Sequence, residues 1–288
     1  MPSVHLPAGP IDYQDSGGTG PAIVFGHGPP MDHRAWRKVI PLLDGYRCIA
    51  PTLPMGGHRR PMNAEADLSQ RGMATILADF LDALELTDVT LVLNDWGGGQ
   101  FMINEGRTDR IGRLALVACE AFDNFPPVQL LRVAGAVPGG MWLLVTLMGW
   151  RPFRRMRGGY GGMSVRGLPD ELLVDWFRPA AADRRIRRDF AKFAAGSPRR
   201  STLRSWAEQW QRFTRPVLVV WADHDPLMPA EHGPRLAAHY PNAELVLIRD
   251  SATLVPEDQP EQLAALLADF ASGRPVTRQV RNVQDRSD

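Results

Sequence analysis

A chain of 288 residues with 44% hydrophobic content is long enough to bury one full α/β core with an inserted subdomain. A formal net charge of +1 gives no general case for a nucleic-acid partner, and the apolar run from Met141 to Trp150 is shorter than the roughly 20 residues that span a bilayer. No Cys/His spacing suits a metal, and Cys48 and Cys119 lie in predicted core strands rather than in a disulfide framework.

Residues 3–9 and 11–16 predict an opening hairpin, after which strand-like and helix-like segments alternate. Pro21–Gly28 is an apolar strand ending in glycines, Trp36–Leu43 a helical segment, and Tyr46–Ala50 the next strand. Residues 64–86 have Ile76, Leu77, Phe80, Leu81 and Leu84 at amphipathic-helix spacing. Val89–Leu93 is a strand, a helix follows from about Gly98, and Leu114–Cys119 is another buried strand. This alternation predicts an α/β fold, a mostly parallel sheet with helices on both faces.

The alternation lapses from Phe122 to Arg215 and resumes at Pro216–Trp221, with a helix at 231–239, a strand at 245–248 and a last helix at 260–270. Residues 1–122 and 216–272 therefore read as the core, 123–215 as an inserted, mostly helical cap, and 273–288 as a polar, disordered tail. Met141–Trp150 is expected as a buried cap helix, with contact at a membrane surface as the alternative. Residues 151–215 carry sixteen Lys+Arg against six Asp+Glu, read as a solvated, arginine-rich face in preference to an anion-binding surface. The N-terminus lacks a basic stretch followed by an apolar core, so a cytoplasmic location is expected.

The most telling stretch is Val92-Leu93-Asn94-Asp95-Trp96-Gly97-Gly98-Gly99. An apolar strand ends in a carboxylate, and small residues follow where a helix must start close beneath the strand. With His27-Gly28-Pro29-Pro30, Cys119-Glu120-Ala121 and Asp225-Pro226-Leu227-Met228-Pro229, in that order, the chain resembles the α/β-hydrolase superfamily, and within it the haloalkane dehalogenase and epoxide hydrolase branch. The resemblance covers roughly residues 10–272 and implies the α/β-hydrolase fold, a small-molecule substrate, no cofactor and no metal.

The resemblance assigns Asp95 as the nucleophile that attacks carbon, and Trp96 as an indole N–H donor to a departing halide. It offers Glu120 or Asp225 as the orienting acid. Its histidine belongs after the last strand, where the matching text Ala252–Pro260 has Thr253 instead. The seven histidines stand at 5, 27, 33, 58, 224, 232 and 239, none of them beyond that strand. The family's oxyanion donors are the backbone N–H groups of the residues after His-Gly and after the nucleophile, here Pro29 and Trp96. Proline has no N–H, and one lost donor costs about 100- to 1000-fold where charge develops on oxygen.

His33 and His224 are the candidate substitute bases, while His58, beside Arg59 and Arg60, reads as part of a solvated turn. Trp176, Phe177, Tyr160, Trp142 and Trp150 are candidate pocket residues of the cap. Epoxide hydrolases of this branch use two cap tyrosines, and Tyr160 alone lies in this cap. Three functions remain open: a hydrolase acting on C–halogen, epoxide or ester bonds through Asp95; a lyase, isomerase or cyclase using Asp95 as acid or base; and a binding protein that has lost turnover.

Overall fold

The structure, a computed structural model, describes residues 1–125 and 129–276. Eight strands form one sheet: β1 (Ser3–Leu6), β2 (Gly9–Asp15), β3 (Ala22–Gly26), β4 (Arg47–Pro51), β5 (Val89–Asp95), β6 (Ile111–Cys119), β7 (Val217–Ala222) and β8 (Ala243–Ile248). Their spatial order is β1-β2-β4-β3-β5-β6-β7-β8. The first two are antiparallel to their neighbours and the rest run parallel. Every residue of β5 and β7 is buried, as a parallel sheet covered on both faces requires.

The chain leaves β3 toward β4 on one side, and the next strand, β5, returns to the other side of β3. A crevice therefore opens beyond the carboxyl ends of β3 and β5, the place where open α/β sheets bind ligands. The His27–Pro30 loop and Asp95 flank that crevice.

Local chemistry set the helix boundaries. The predicted 64–86 helix spans Gln70–Ala83 because Ser69 caps it, its hydroxyl accepting from the Gly72 N–H, and Met73, Leu77, Phe80 and Leu81 fill its buried face. The expected helical segment Trp36–Leu43 is replaced by two short 3-10 turns, His33–Trp36 and Ile40–Leu42, with Pro41 inside the second, since proline interrupts the α-helical ladder. Cys48 and Cys119 are buried free thiols.

Between β6 and β7 the described residues form helices and no named strand: Gln129–Ala136, Gly140–Met148, Arg151–Arg154, Asp170–Ala182, Arg184–Ala195 and Arg200–Glu208. Three buried carboxylates tie this layer to the core. Asp32 accepts from the Trp176 indole N–H at 3.1 Å. Asp189 accepts from the Met62 N–H at 2.8 Å and lies 3.3 Å from His58 Nε2. Asp258 accepts from the Ser164 hydroxyl at 2.6 Å and from the N–H groups of Val165, Arg166 and Ala252. His58 is consequently buried, not part of a solvated turn. Most of the expected tail, residues 277–288, lies outside the described residues, whereas Val276 is buried and its N–H donates to Glu244.

Candidate active site

Asp95 ends β5 with φ of 64°, a left-handed conformation uncommon outside glycine. The Trp96 N–H donates back to the Asn94 carbonyl at 2.7 Å, so the chain turns within three residues. This turn lifts the carboxylate out of the sheet and against Gly28, where a Cβ would stand only 1.7 Å from Asp95 Oδ2. Gly97 is equally constrained, since a Cβ there would meet the Glu120 carbonyl at 2.0 Å. Both glycines are thus required by close approach.

Glu120 follows β6, whose Cys119 is the register partner of Asp95, and the Glu120 N–H donates to the Asp95 carbonyl at 2.8 Å. The two side chains share a cavity of about 160 Å³ with Tyr160 and Pro29. Its remaining wall is almost wholly apolar and includes Leu131, Leu144, Met148, Phe177, Phe190 and Leu227. Tyr160 donates its hydroxyl to the Pro29 carbonyl at 2.6 Å.

Electrostatics follow from that wall. Burial, reinforced by the charge of Asp225, pushes the Asp95 carboxyl well above the ordinary carboxylate range. Burial and the neighbouring Asp95 do the same to Glu120, whose Oε2 has no hydrogen-bond partner. The Tyr160 phenol is raised by burial and by both carboxylates. An ionised Asp95 thus favours the protonated form of Glu120 in this apolar cavity.

Asp225 stands in the loop after β7. Its Oδ1 accepts from the N–H groups of Leu227 and Met228 and from the Thr253 hydroxyl at 2.8 Å. Burial outweighs those bonds and raises its pKa. Thr253 is fully buried, and its carbonyl accepts from the Asn94 amide at 2.7 Å. The same amide donates to the Val117 carbonyl at 2.8 Å. Asn94 therefore straps β5 to β6 and to the loop after β8.

Several expected residues lie elsewhere. The Trp96 indole is fully buried and its N–H donates to Gln70 Oε1 at 2.9 Å, so it is committed to the protein interior and does not line the cavity. Trp176 reaches Asp32 in place of the cavity, and Trp142 and Trp150 are 56% and 62% exposed. His33 pairs with the Thr52 hydroxyl, and His224 is exposed beside Asp223. Neither lines the cavity. His27 supports the loop: its Nε2 accepts from the Leu53 N–H, and burial lowers its pKa to about 4.

Pro29 and Trp96 together leave the cavity without the two expected oxyanion donors, one having no N–H and the other having donated it to Asn94. The bracing roles of Asn94 and Gln70 went unread in the sequence. A buried amide three places before Gly97 was the available signal for the first.

Known proteins place this arrangement. A sequence model of the alpha/beta hydrolase family matches residues 23–266. Haloalkane dehalogenase 2 of Mycobacterium tuberculosis is 28% identical over 282 residues, covering 90% of each chain. The haloalkane dehalogenase DbeA from Bradyrhizobium elkani superposes with a TM-score of 0.73 at 20% identity, covering 94% of this chain and 96% of the other. The epoxide hydrolase CorEH superposes with a TM-score of 0.75, also at 20% identity, covering 94% and 98%. With the elbow, sheet order and family match in agreement, the chain belongs to the alpha/beta hydrolase family, and it is similar to that family's haloalkane dehalogenase and epoxide hydrolase branch.

Proposed function

We propose that this hydrolase opens a small apolar epoxide with water, using Asp95 and Glu120 as a carboxyl pair that shares one proton. The observation that carries the proposal is the pair itself: two carboxyl groups, both raised by burial and Glu120 also by Asp95, facing one apolar cavity that lacks both a histidine and the oxyanion donors.

In the resting pair Glu120 holds the proton and Asp95 is ionised. Glu120 donates to the ring oxygen as the C–O bond breaks, while Asp95 accepts a proton from the water whose oxygen bonds to the ring carbon. The product is a diol, and the proton taken by Asp95 returns to Glu120. No charge develops on an acyl oxygen, so neither missing donor is required. Raised pKa values suit both roles, because a carboxyl that keeps its proton to higher pH can still donate it and its conjugate base is stronger than a solvated carboxylate.

Attack by Asp95 on carbon is the second route, favoured by the strained elbow that aims its carboxylate at the cavity. It forms an ester whose cleavage would pass through the unsupported oxyanion. A single turnover of styrene oxide in heavy-oxygen water distinguishes the routes. Label in the diol from the first turnover supports the shared-proton pair. Label in the Asp95 carboxyl, or an alkylated enzyme by intact mass, assigns nucleophilic attack, and failure to turn over styrene oxide, cyclohexene oxide and linear terminal epoxides would sink the epoxide reading.

A further inference from the structure

The segment from Asn124 to Pro169 contains six arginines and not one aspartate or glutamate. Among its described residues the outer surface is strongly apolar. Leu130, Val133, Trp142, Leu143, Trp150 and Met156 are each more than half exposed. Helix Gly140–Met148 buries only Met141, Leu144 and Val145, so the sequence expectation of a buried cap helix is met on one side alone. Single exposed apolar residues are ordinary, but six in one stretch, on and beside the helices Gln129–Ala136 and Gly140–Met148 that pack on each other, mark a contact surface.

We propose that this face of the cap docks on an anionic lipid surface. Two exposed tryptophans, whose indoles combine an apolar body with a polar N–H, suit the boundary between headgroups and acyl chains. The arginines supply the complementary charge. Arg151, Arg154 and Arg155 all converge on Asp170, the first acid after the segment, at 3.8, 2.5 and 3.1 Å, so one carboxylate faces three cations and an excess of positive charge remains. Arg132 and Arg157 add to it on exposed positions. This combination of basic and apolar side chains is the signature of interfacial binding.

A second copy of the chain is a poorer occupant. A two-fold interface sets the same patch against itself, which would bring arginine against arginine with no acid in the segment to answer it. The cavity gives the lipid contact a purpose. Leu130 and Met156 are exposed and also line the cavity, so the apolar opening lies within the docking face. A substrate partitioned into lipid would reach Asp95 and Glu120 without crossing water.

Flotation of the full chain with phosphatidylcholine vesicles, with and without phosphatidylglycerol, tests the proposal. Binding is expected on the anionic vesicles, with a blue shift of tryptophan emission. It should weaken by about tenfold or more in the Trp142→Ala/Trp150→Ala double variant. Replacing Arg132 or Arg157 with glutamine should cost about fivefold each. These positions are exposed, and circular dichroism will establish that the variants remain folded. No binding to anionic vesicles overturns the proposal, as does a dimer in sedimentation that Trp142→Glu dissociates.

Discussion

The Thr253 hydroxyl donates to Asp225 at 2.8 Å, so the acid beyond β7 retains a partner in the loop after β8 although no histidine stands there. A hydroxyl can hold a carboxylate in place, but it cannot accept a proton usefully near neutral pH. The hydrogen bond joins the two loops without supplying a base.

Thr253→His should therefore fail to raise turnover. The position is fully buried, so the larger ring is expected to cost about 1–3 kcal/mol in stability, read by thermal unfolding. Both acyl-oxygen donors would still be missing. A rise in kcat with styrene oxide would show that an ester is formed and waits for a base.

The shared proton makes a definite pH signature. Activity requires one carboxyl protonated and the other ionised, so kcat should be bell-shaped, with both limbs above the ordinary carboxylate range because burial raises both groups. Asp95→Asn and Glu120→Gln should each lower kcat by about 100- to 10,000-fold while removing one limb. An unchanged alkaline limb in Glu120→Gln would exclude Glu120 as the acid.

Stability should respond to pH with opposite signs at two places. Asp95 and Glu120 have folded pKa values raised above their unfolded values, so their stabilising contribution is complete below about pH 4 and is lost as pH rises through the folded values. His27 is lowered from 6.5 to about 4, so its contribution is present above 6.5 and is lost as pH falls toward 4. Thermal melts across this range should show Glu120→Gln flattening the loss of stability at higher pH, and His27→Gln flattening the loss on the acid side.

The commitment of the Trp96 indole to Gln70 predicts weak halide chemistry. Titration with bromide or iodide should show no saturable change in tryptophan fluorescence beyond collisional quenching. Chloride release from chloroalkanes should be undetectable against the epoxide rate. Saturable halide binding would mean that the indole N–H can be redirected.

Asn94→Leu should destabilise the protein by about 2–6 kcal/mol, because two buried carbonyls, those of Val117 and Thr253, would each lose a donor. Chemical unfolding measures the loss. A change below about 1 kcal/mol would show that water or a backbone shift replaces the amide.

The parallel sheet was legible because apolar runs, glycines and amphipathic spacing record burial directly. Asp95 was equally legible, since an elbow needs Gly97 near it. What escaped was pairing at a distance. Nothing in the text joins Gln70 to Trp96, or His58 to Asp189 across 131 positions, because a hydrogen bond between distant segments leaves no local pattern. Trp176 and Trp142 show the same limit, one held by Asp32 and the other facing solvent although both read alike as cap aromatics. The sequence offers Glu120 only as one of two candidate orienting acids, and its apolar surroundings, which give it a raised pKa, exist only after the helices between β6 and β7 fold over it.

Asp32, Asp189 and Asp258 fasten the later part of the cap, at Trp176, at helix Arg184–Ala195 and at residues 164–166. Helix Gly140–Met148, by contrast, contributes Leu144 and Met148 to the cavity wall and packs on the helices Asp170–Ala182 and Arg184–Ala195, but its described residues make no hydrogen bond to those three carboxylates. The chamber wall therefore has two parts, Phe177 and Phe190 beside Trp176 and Asp189 on the fastened helices, and Leu144 and Met148 on a helix that carries no such fastening. Side chains on that helix can be exchanged to reshape the chamber while the riveted half keeps the lid seated, giving the enzyme a wall that can diversify without dismantling the machine behind it.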